Sequence, residues 1–132
     1  MTLMQLETVW RPRALSLLRI VTALLFLEHG TQKLFGFPPT EYPRAELMSL
    51  MGAAGILEFA GGLLLVIGLF TRPVAFILSG MMAVAYWTAH APQSPYPLVN
   101  MGEGAILYCF IFLYLFSAGP GPWSIDAARG KS

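Results

Sequence analysis

Four stretches of the chain are long and apolar enough to predict membrane-spanning helices. They run from about Ala14 to Leu34, Leu47 to Phe70, Pro73 to His90, and Met101 to Ala118. A spanning helix needs about 20 apolar residues, and the third and fourth stretches lie near the short end of that range. The pattern predicts an all-α fold, an integral membrane four-helix transmembrane bundle, with residues 1–132 forming one domain.

The polar and proline-rich segments between these stretches predict the connections. Thr71 and Arg72 separate the middle two helices, and Pro73 suits a first helical turn, where its missing N–H has no partner to lose. The connections 36–46 and 91–100 are longer and rich in proline, which fixes φ and removes donors, so they are not helical throughout. The segment Gly119–Asp126 breaks the fourth helix, with Trp123 as an interfacial anchor.

Composition supports a membrane protein and excludes several other classes. Hydrophobic residues make up 56% of the chain and charged residues 11%, against about a quarter charged in soluble domains. The mean hydropathy is +0.64. A net charge of +1 gives no basis for nucleic-acid binding, and the single cysteine, Cys109, excludes a disulfide within the chain. The first apolar run ends in Glu28-His29-Gly30 and not in a small-residue cleavage site, so we expect it to be retained.

Lysine and arginine residues near the span ends predict the orientation. One side carries the larger set, which is Arg11, Arg13, Arg19, Arg72, Arg129 and Lys131. The other side carries Lys33 and Arg44. The richer side should be cytoplasmic, which places both termini inside and the two proline-rich loops outside. Arg19 is expected to extend its long side chain to the nearby interface.

The polar residues of all four predicted helices fall into the same half of the membrane. At about 1.5 Å per residue, Glu28 lies roughly 10 Å from the outer end of its span, and Glu58 lies near the midplane. Ionisable groups at such depths are rare and mark candidate functional sites. The whole set is Glu28, His29, Gln32, Lys33, Glu58, His90, Asn100 and Glu103.

Helical spacing predicts which of these side chains point into the bundle. On the second helix a stripe of small residues, typical of close packing in membranes, includes Ala54, Glu58, Gly61, Gly62 and Leu65. The matching stripes on the other two helices are Ser79, Ala83, Tyr86, Trp87 and His90, and then Asn100, Glu103, Leu107 and Tyr114. The pattern therefore predicts one shared polar site.

Structural explanations stand beside the functional ones. Glu58 could be a protonated acid bonded to a neighbouring helix, and Glu28 could pair with Lys33 or Arg44. His90 could be an ordinary interfacial histidine, and an acid such as Glu103 is favoured in a first helical turn by the helix dipole alone. The aromatic residues Tyr42, Tyr86 and Trp87 suit an interfacial belt, whereas the methionines and Cys109 suit packing.

Three segments resemble the signatures of a known family. Leu18–Gly36, with Glu28-His-Gly-Thr-Gln-Lys33 at its centre, resembles the first-helix signature of the DoxX family. Gly55–Arg72 resembles the second-helix signature, and Gly119–Asp126 is similar to the closing segment. The resemblance implies a four-helix protein of the bacterial or archaeal inner membrane. Relatives include a subunit associated with thiosulfate:quinone oxidoreductase, and many members have no assigned activity, so it implies architecture more firmly than function.

Four functions remain open from the sequence. The favoured hypothesis is a quinone-reactive membrane subunit of an oxidoreductase, which needs a protein redox partner because the chain carries no flavin, nucleotide or iron–sulfur motif. The others are a non-catalytic membrane anchor or assembly protein, a small proton-coupled transporter acting as a homo-oligomer, and haem b binding through His29 and His90. Nothing beyond those two histidines favours haem.

The quinone hypothesis assigns roles to the polar residues. Glu28, His29 and Glu58 form a proton relay, because carboxylate and histidine chains carry protons in membrane proteins. The quinone-binding set is Gln32, Lys33, Tyr86, Trp87, His90, Asn100 and Glu103. No metal site is predicted, and the expected surroundings are membrane lipid.

Overall fold

The computed structural model describes residues 1–132 as a helical protein built on four long helices. They are α1 (Leu3–Phe35), α2 (Leu50–Ile67), α3 (Thr71–Gln93) and α4 (Glu103–Ala118). A π-helical turn occurs in α1 at Leu6–Trp10 and another in α3 at Tyr86–His90. Helices α1 to α3 are long and apolar enough to cross a membrane, and α4 is a shorter apolar helix. The predicted all-α membrane fold is confirmed.

Helix boundaries differ from the apolar stretches where capping residues intervene. The Ser49 hydroxyl accepts a hydrogen bond from the Gly52 amide, so α2 begins at Leu50 and not at Leu47. Gly68 ends α2 with a φ of 69°, a conformation that glycine adopts without steric cost. Helix α1 begins at Leu3, well before the predicted Ala14, because Thr2 and Gln5 form a capping box in which the side chain of each accepts a hydrogen bond from the backbone amide of the other.

The helices pack as two closely associated pairs, α1 with α2 and α3 with α4. The pairs meet on a core whose members are Ala23, Phe26, Leu65, Ala75, Leu78, Met82, Phe112 and Leu115. Helices α1 and α2 approach so closely at Gly30 that a Cβ atom there would lie 2.6 Å from the Phe59 backbone nitrogen. The buried face of α2 includes Glu58, Gly61, Gly62 and Leu65, as the small-residue stripe predicts, and also Gly52 and Gly55.

The two ends of the bundle have different structures. We call the end that holds Arg19, Gly68–Thr71 and Gly119–Asp126 the tail end, and the end that holds connections 36–49 and 94–102 the loop end. At the tail end, the segment after α4 folds back beneath the helices. This arrangement closes one end of the bundle and leaves the other to irregular loops.

Arg19 joins this segment to the bundle, so the prediction that it extends to the interface is wrong. Its side chain is fully buried, and Nε donates to the carbonyl of Leu65 at 2.8 Å. The other nitrogens donate to the carbonyls of Pro120 and Trp123. The sequence of Gly119–Trp123 forms no helix, so its carbonyl groups are free to accept from the guanidinium.

Asp126 fixes the same segment to the start of α3. Its carboxylate accepts hydrogen bonds from the amides of Phe70 at 3.0 Å and Thr71 at 2.9 Å. Burial alone would raise the pKa of Asp126, but the amide hydrogen bonds outweigh burial and hold the pKa below its usual value. The carboxylate thus acts as a distant cap for the amides at the start of α3.

The predicted inward stripe on α4 is also wrong. Leu107 and Tyr114 are largely exposed, and the buried face of α4 consists of Ala105, Phe112 and Leu115. The reason is that Asn100 belongs to a separate helical turn, Pro97–Asn100, and Met101 adopts a left-handed conformation with a φ of 61°. The helical spacing counted from Asn100 therefore does not continue into α4.

Candidate functional site

A buried ion pair between α1 and α2 lies at the centre of the polar cluster. The Lys33 ammonium donates to both carboxylate oxygens of Glu58, at 2.9 and 2.8 Å. The two side chains are only 16% and 5% exposed. The absence of a side chain at Gly55 gives Lys33 room, because a Cβ atom there would lie 2.9 Å from the Lys33 Cβ. Lys33 can therefore cross α2 and reach Glu58 one turn further along.

A cavity of about 270 Å³ opens at this ion pair, near the loop end. Its polar lining consists of His29, Lys33, Glu58, His90 and Tyr108. Its apolar walls include Phe26, Met51, Met81 and Met82. Mostly apolar pockets with a few converging polar groups are typical of small-molecule sites. All four helices contribute to this one.

His90 lines the cavity in an orientation that two contacts define. Its Nδ1 lies 2.9 Å from the backbone carbonyl of Asn100, which can only accept, so Nδ1 carries the proton. In the neutral ring Nε2 is then a proton acceptor. The ring also stacks on Tyr86, with centroids 6.4 Å apart. These contacts fix the orientation of the imidazole at the cavity wall.

His29 and Tyr108 form the opposite wall. Their rings meet edge to face with centroids 6.0 Å apart, and Tyr108 packs against Phe26 at 5.3 Å. Residue Tyr108 was not among the residues selected from the sequence. It lies on the true buried face of α4, three residues after Ala105 and four before Phe112. Helical spacing counted from Ala105, and not from Asn100, would have placed Tyr108 on the buried face of α4.

Glu28 and Gln32 line a separate hollow beside the cavity, beneath the 36–49 connection. This hollow has a volume of about 340 Å³ and shares His29 with the first cavity. The Gln32 amide donates to the Thr40 hydroxyl at 3.1 Å and to the Tyr42 carbonyl at 3.0 Å, which fixes the loop. Glu28 is exposed and forms no ion pair with Lys33 or Arg44, because the Lys33 ammonium binds Glu58.

The remaining candidates lie away from the cavity lining. The Asn100 side chain donates to the Ser94 carbonyl and the Tyr86 hydroxyl and accepts from the Gly102 amide. Asn100 therefore ties the 94–102 connection to the end of α3, where Tyr86 and His90 lie. Trp87 is 70% exposed and Glu103 is also exposed, so both face the surroundings of the bundle. The structure thus brings His29, Lys33, Glu58 and His90 together around the cavity. Tyr86 and Asn100 contact His90 without lining the cavity, and Glu28 and Gln32 share only the hollow with His29.

The arrangement can bind a compact ligand that has both polar and aromatic character. Lys33 and Tyr108 offer hydrogen-bond donors, Glu58 offers a carboxylate, and His90 offers an acceptor nitrogen. No three histidine, cysteine, aspartate or glutamate side chains are grouped so that they could hold a metal ion. The side chains that line the cavity can form hydrogen bonds and transfer protons.

Comparison with known proteins identifies relatives over nearly the whole chain. An uncharacterized protein of Haemophilus influenzae is 42% identical over 122 residues, which cover 89% of this chain and 91% of that protein. Inner membrane protein YqjF of Escherichia coli is 30% identical, over 86% of this chain and 89% of its own length. Inner membrane protein YphA of the same organism is 29% identical, over 88% and 90%. No solved structure is significantly similar.

The family comparison covers the part of the chain that holds the ion pair. The DoxX family model matches residues 14–91, which contain α2, nearly all of α3 and the membrane-spanning part of α1. Lys33, Glu58, His29 and His90 all lie within these limits, whereas α4 and the segment that follows it lie beyond them. Because the match covers more than half of the residues, the chain belongs to the DoxX family.

Proposed function

We propose that the cavity binds the ring of a membrane quinone and that the protein is the membrane subunit of a quinone-linked oxidoreductase. The observation that carries the proposal is the grouping of Lys33, Glu58, His29 and His90 around one small cavity with aromatic and methionine walls. A quinone ring needs hydrogen bonds to its two oxygens and flat apolar contact on its faces. The cavity offers both.

Proton exchange explains why ionisable residues would line such a cavity at membrane depth. Reduction of a quinone to a quinol takes up two electrons and two protons. His90 Nε2 and the Glu58 carboxylate can each hold a proton, and His29 connects the cavity to the hollow beneath the 36–49 loop. Electrons would come from a protein partner that docks on the loop end.

The shape of the bundle favours this function over the alternatives. A transporter needs a path to both ends, but the tail half is filled by packed side chains, including Phe26, Leu65 and Phe112, and closed by Arg19. A cavity of about 270 Å³ suits a single ring better than a porphyrin. A pure anchor would not need an ionised pair next to a cavity, since buried pairs add little stability over apolar packing.

The test is whether quinone binding depends on the ion pair. Protein purified from native membranes should carry quinone detectable by mass spectrometry, and the amount per protein should fall roughly tenfold in Glu58→Gln and Lys33→Met, since each removes a polar contact worth about 1.4 kcal/mol. Glu103→Gln is the matched control, because Glu103 is an exposed acid at the same end, outside the cavity. Equal quinone content in all four proteins rejects the proposal, and the same samples identify any partner protein.

We also propose that the protein lies in the inner membrane with both termini in the cytoplasm. The Escherichia coli relatives are described as inner membrane proteins, and the tail end carries more lysine and arginine than the loop end. Fusion of a reporter that is active only in the cytoplasm should give signal at the C-terminus and none when inserted at Thr40. The reverse result rejects the orientation.

A further inference from the structure

An apolar groove runs along the outside of the bundle between α2 and α3. It has a volume of about 430 Å³, and ten of its twelve lining residues are hydrophobic. The residues of α3 that line the groove lie on one face of the helix between Ile77 and Ala89. The residues of α2 that line it lie between Leu50 and Leu57. Two helix faces therefore meet without filling the space between them.

Small side chains create this space. Ala53, Ala54, Gly80 and Ala85 line the groove, and a Cβ atom at Gly80 would meet nothing within 4 Å. Close helix contact is the usual consequence of small residues in membranes. Here α2 and α3 have far fewer contacts with each other than α1 has with α2, so the small residues leave a channel open to the lipid.

The groove is continuous with the cavity at the ion pair. Met51, Ala54, Met81, Ala85 and Ala89 line both. From Ala89 to Ile77 the groove follows α3 for about 18 Å, from the level of the cavity towards the middle of the bundle. A molecule seated in the cavity can thus extend sideways through the groove without leaving the protein surface.

We propose that this groove holds the hydrocarbon tail of the quinone whose ring occupies the cavity. The inference rests on the proposed function and specifies it further, because it makes a tailed, membrane-dissolved quinone the ligand. A tail attached to a ring at the ion pair must leave by some opening. The groove is the lipid-facing, apolar opening that joins the cavity. The two hollows beneath the 36–49 connection also share His29 with the cavity, but most of their lining residues are polar.

The groove gives the quinone tail a path out of the cavity. It should not add much to the affinity of the protein for the quinone. Lipid tails are as apolar as leucine, so transfer of a hydrocarbon chain from the bilayer to the groove yields little hydrophobic free energy. Filling the groove should therefore act by steric exclusion. It should exclude a tailed quinone and leave binding of the bare ring unchanged.

Gly80→Leu tests this directly. The substitution fills the groove, and leucine favours helix over glycine, so folding should not suffer. The variant and wild type are reconstituted in phosphatidylcholine nanodiscs and titrated with decyl-tailed benzoquinone or with the same ring bearing a methyl group. We expect Gly80→Leu to weaken binding of the tailed quinone about tenfold or more, a change of about 1.4 kcal/mol, and to leave the methyl compound unaffected.

Two controls separate the possible failures. Ala60→Leu makes a similar change at an exposed position of α2 that lines neither the cavity nor the groove, and should bind both probes as wild type does. Lys33→Met should weaken both probes. If Gly80→Leu binds the tailed quinone normally while Lys33→Met does not, the groove proposal is wrong and the quinone site stands. If wild type binds neither probe, the proposed function itself is wrong.

A second copy of the chain is the competing occupant of this face. In that case Gly80→Leu converts a wild-type dimer into a monomer, as measured by light scattering of the detergent complex. That result overturns the assignment of the groove to a quinone tail.

Discussion

Lys33 and Glu58 form an ion pair in a setting where charge is costly. Isolated charges in the membrane are disfavoured by several kcal/mol, and pairing offsets most of that cost only when the geometry is good. Here one ammonium reaches both oxygens of one carboxylate at 2.8–2.9 Å. Either residue alone would be more disruptive than neither.

This reasoning predicts a strong coupling in a double-mutant cycle. Lys33→Met leaves the Glu58 carboxylate without its partner and should cost about 3 kcal/mol in free energy of unfolding, and Glu58→Gln should cost a similar amount. The double variant should lose less stability than the sum of the two single losses. The difference should be at least about 1 kcal/mol, which is within the range seen for residues in contact. Unfolding in mixed micelles measures all four proteins, and additive losses would contradict the pairing.

Arg19 makes a second residue-scale prediction. Its three nitrogens reach three carbonyls in different directions, which the single ammonium of lysine cannot reproduce. We expect Arg19→Lys to lower stability by about 2 kcal/mol and to expose the segment after α4 to proteolysis. Arg13→Lys is the control, because Arg13 is exposed and its guanidinium lies over the ring of Trp10, 5.6 Å from the centroid. Equal cleavage of the two variants would count against the role of Arg19.

At the scale of helices, the contact between α1 and α2 depends on small residues that allow backbone approach. Gly30 faces the backbone of Phe59, and Gly62 faces Leu27. The same approach places Lys33 across Gly55 and in reach of Glu58. The interface that holds the two helices together also assembles the ion pair.

Two glycine-to-alanine substitutions should therefore change the stability of the protein in opposite directions. Gly30→Ala places a methyl group 2.6 Å from the backbone nitrogen of Phe59 and should destabilise the protein by about 1–3 kcal/mol. Gly80→Ala meets nothing and should stabilise it by up to about 1 kcal/mol through helix propensity. Thermal unfolding of both variants in one detergent gives the comparison. A neutral Gly30→Ala would mean that α1 and α2 can move apart freely.

The sequence predicts the presence of the helices better than it predicts which face of each helix is buried and where each helix begins and ends. Apolar length identified the four helices, and the glycine stripe identified the buried face of α2, because both properties are local. The phase of α4 was wrong since the left-handed turn at Met101 resets it, and this turn has no glycine to mark it. The partner of Lys33 could not be predicted, because Glu28 is nearer to it in sequence and only packing at Gly55 selects Glu58.

At the scale of the whole molecule, the protein is closed at one end and open at the other. The tail end is held by Arg19 and Asp126, which connect parts of the chain far apart in sequence. The loop end contains the cavity, the hollow beside it and the opening of the groove. Rigidity at one end and access at the other suit a protein whose ligand enters from a single side.

Asp126 makes the stability of the closed end dependent on pH. Because its pKa is lowered in the folded state, its contribution is present above its usual pKa of about 4 and is lost as pH falls through the folded value. Wild type should therefore lose more stability between pH 5 and pH 3, on the order of 1–2 kcal/mol, than Asp126→Asn does. Parallel pH profiles for the two proteins would show that the cap contributes nothing.

The contacts of Arg19 also constrain the order of biogenesis. Arg19 is inserted with the first helix, yet two of its three carbonyl partners, Pro120 and Trp123, are synthesised about a hundred residues later. Until then the Arg19 guanidinium must stay hydrated at the membrane surface or donate hydrogen bonds to other acceptors. The hydrogen bonds that close the tail end can form only after α4 has entered the membrane. A chain that stopped after Ala118 would have all four long helices and would still lack two of the three carbonyl partners of Arg19.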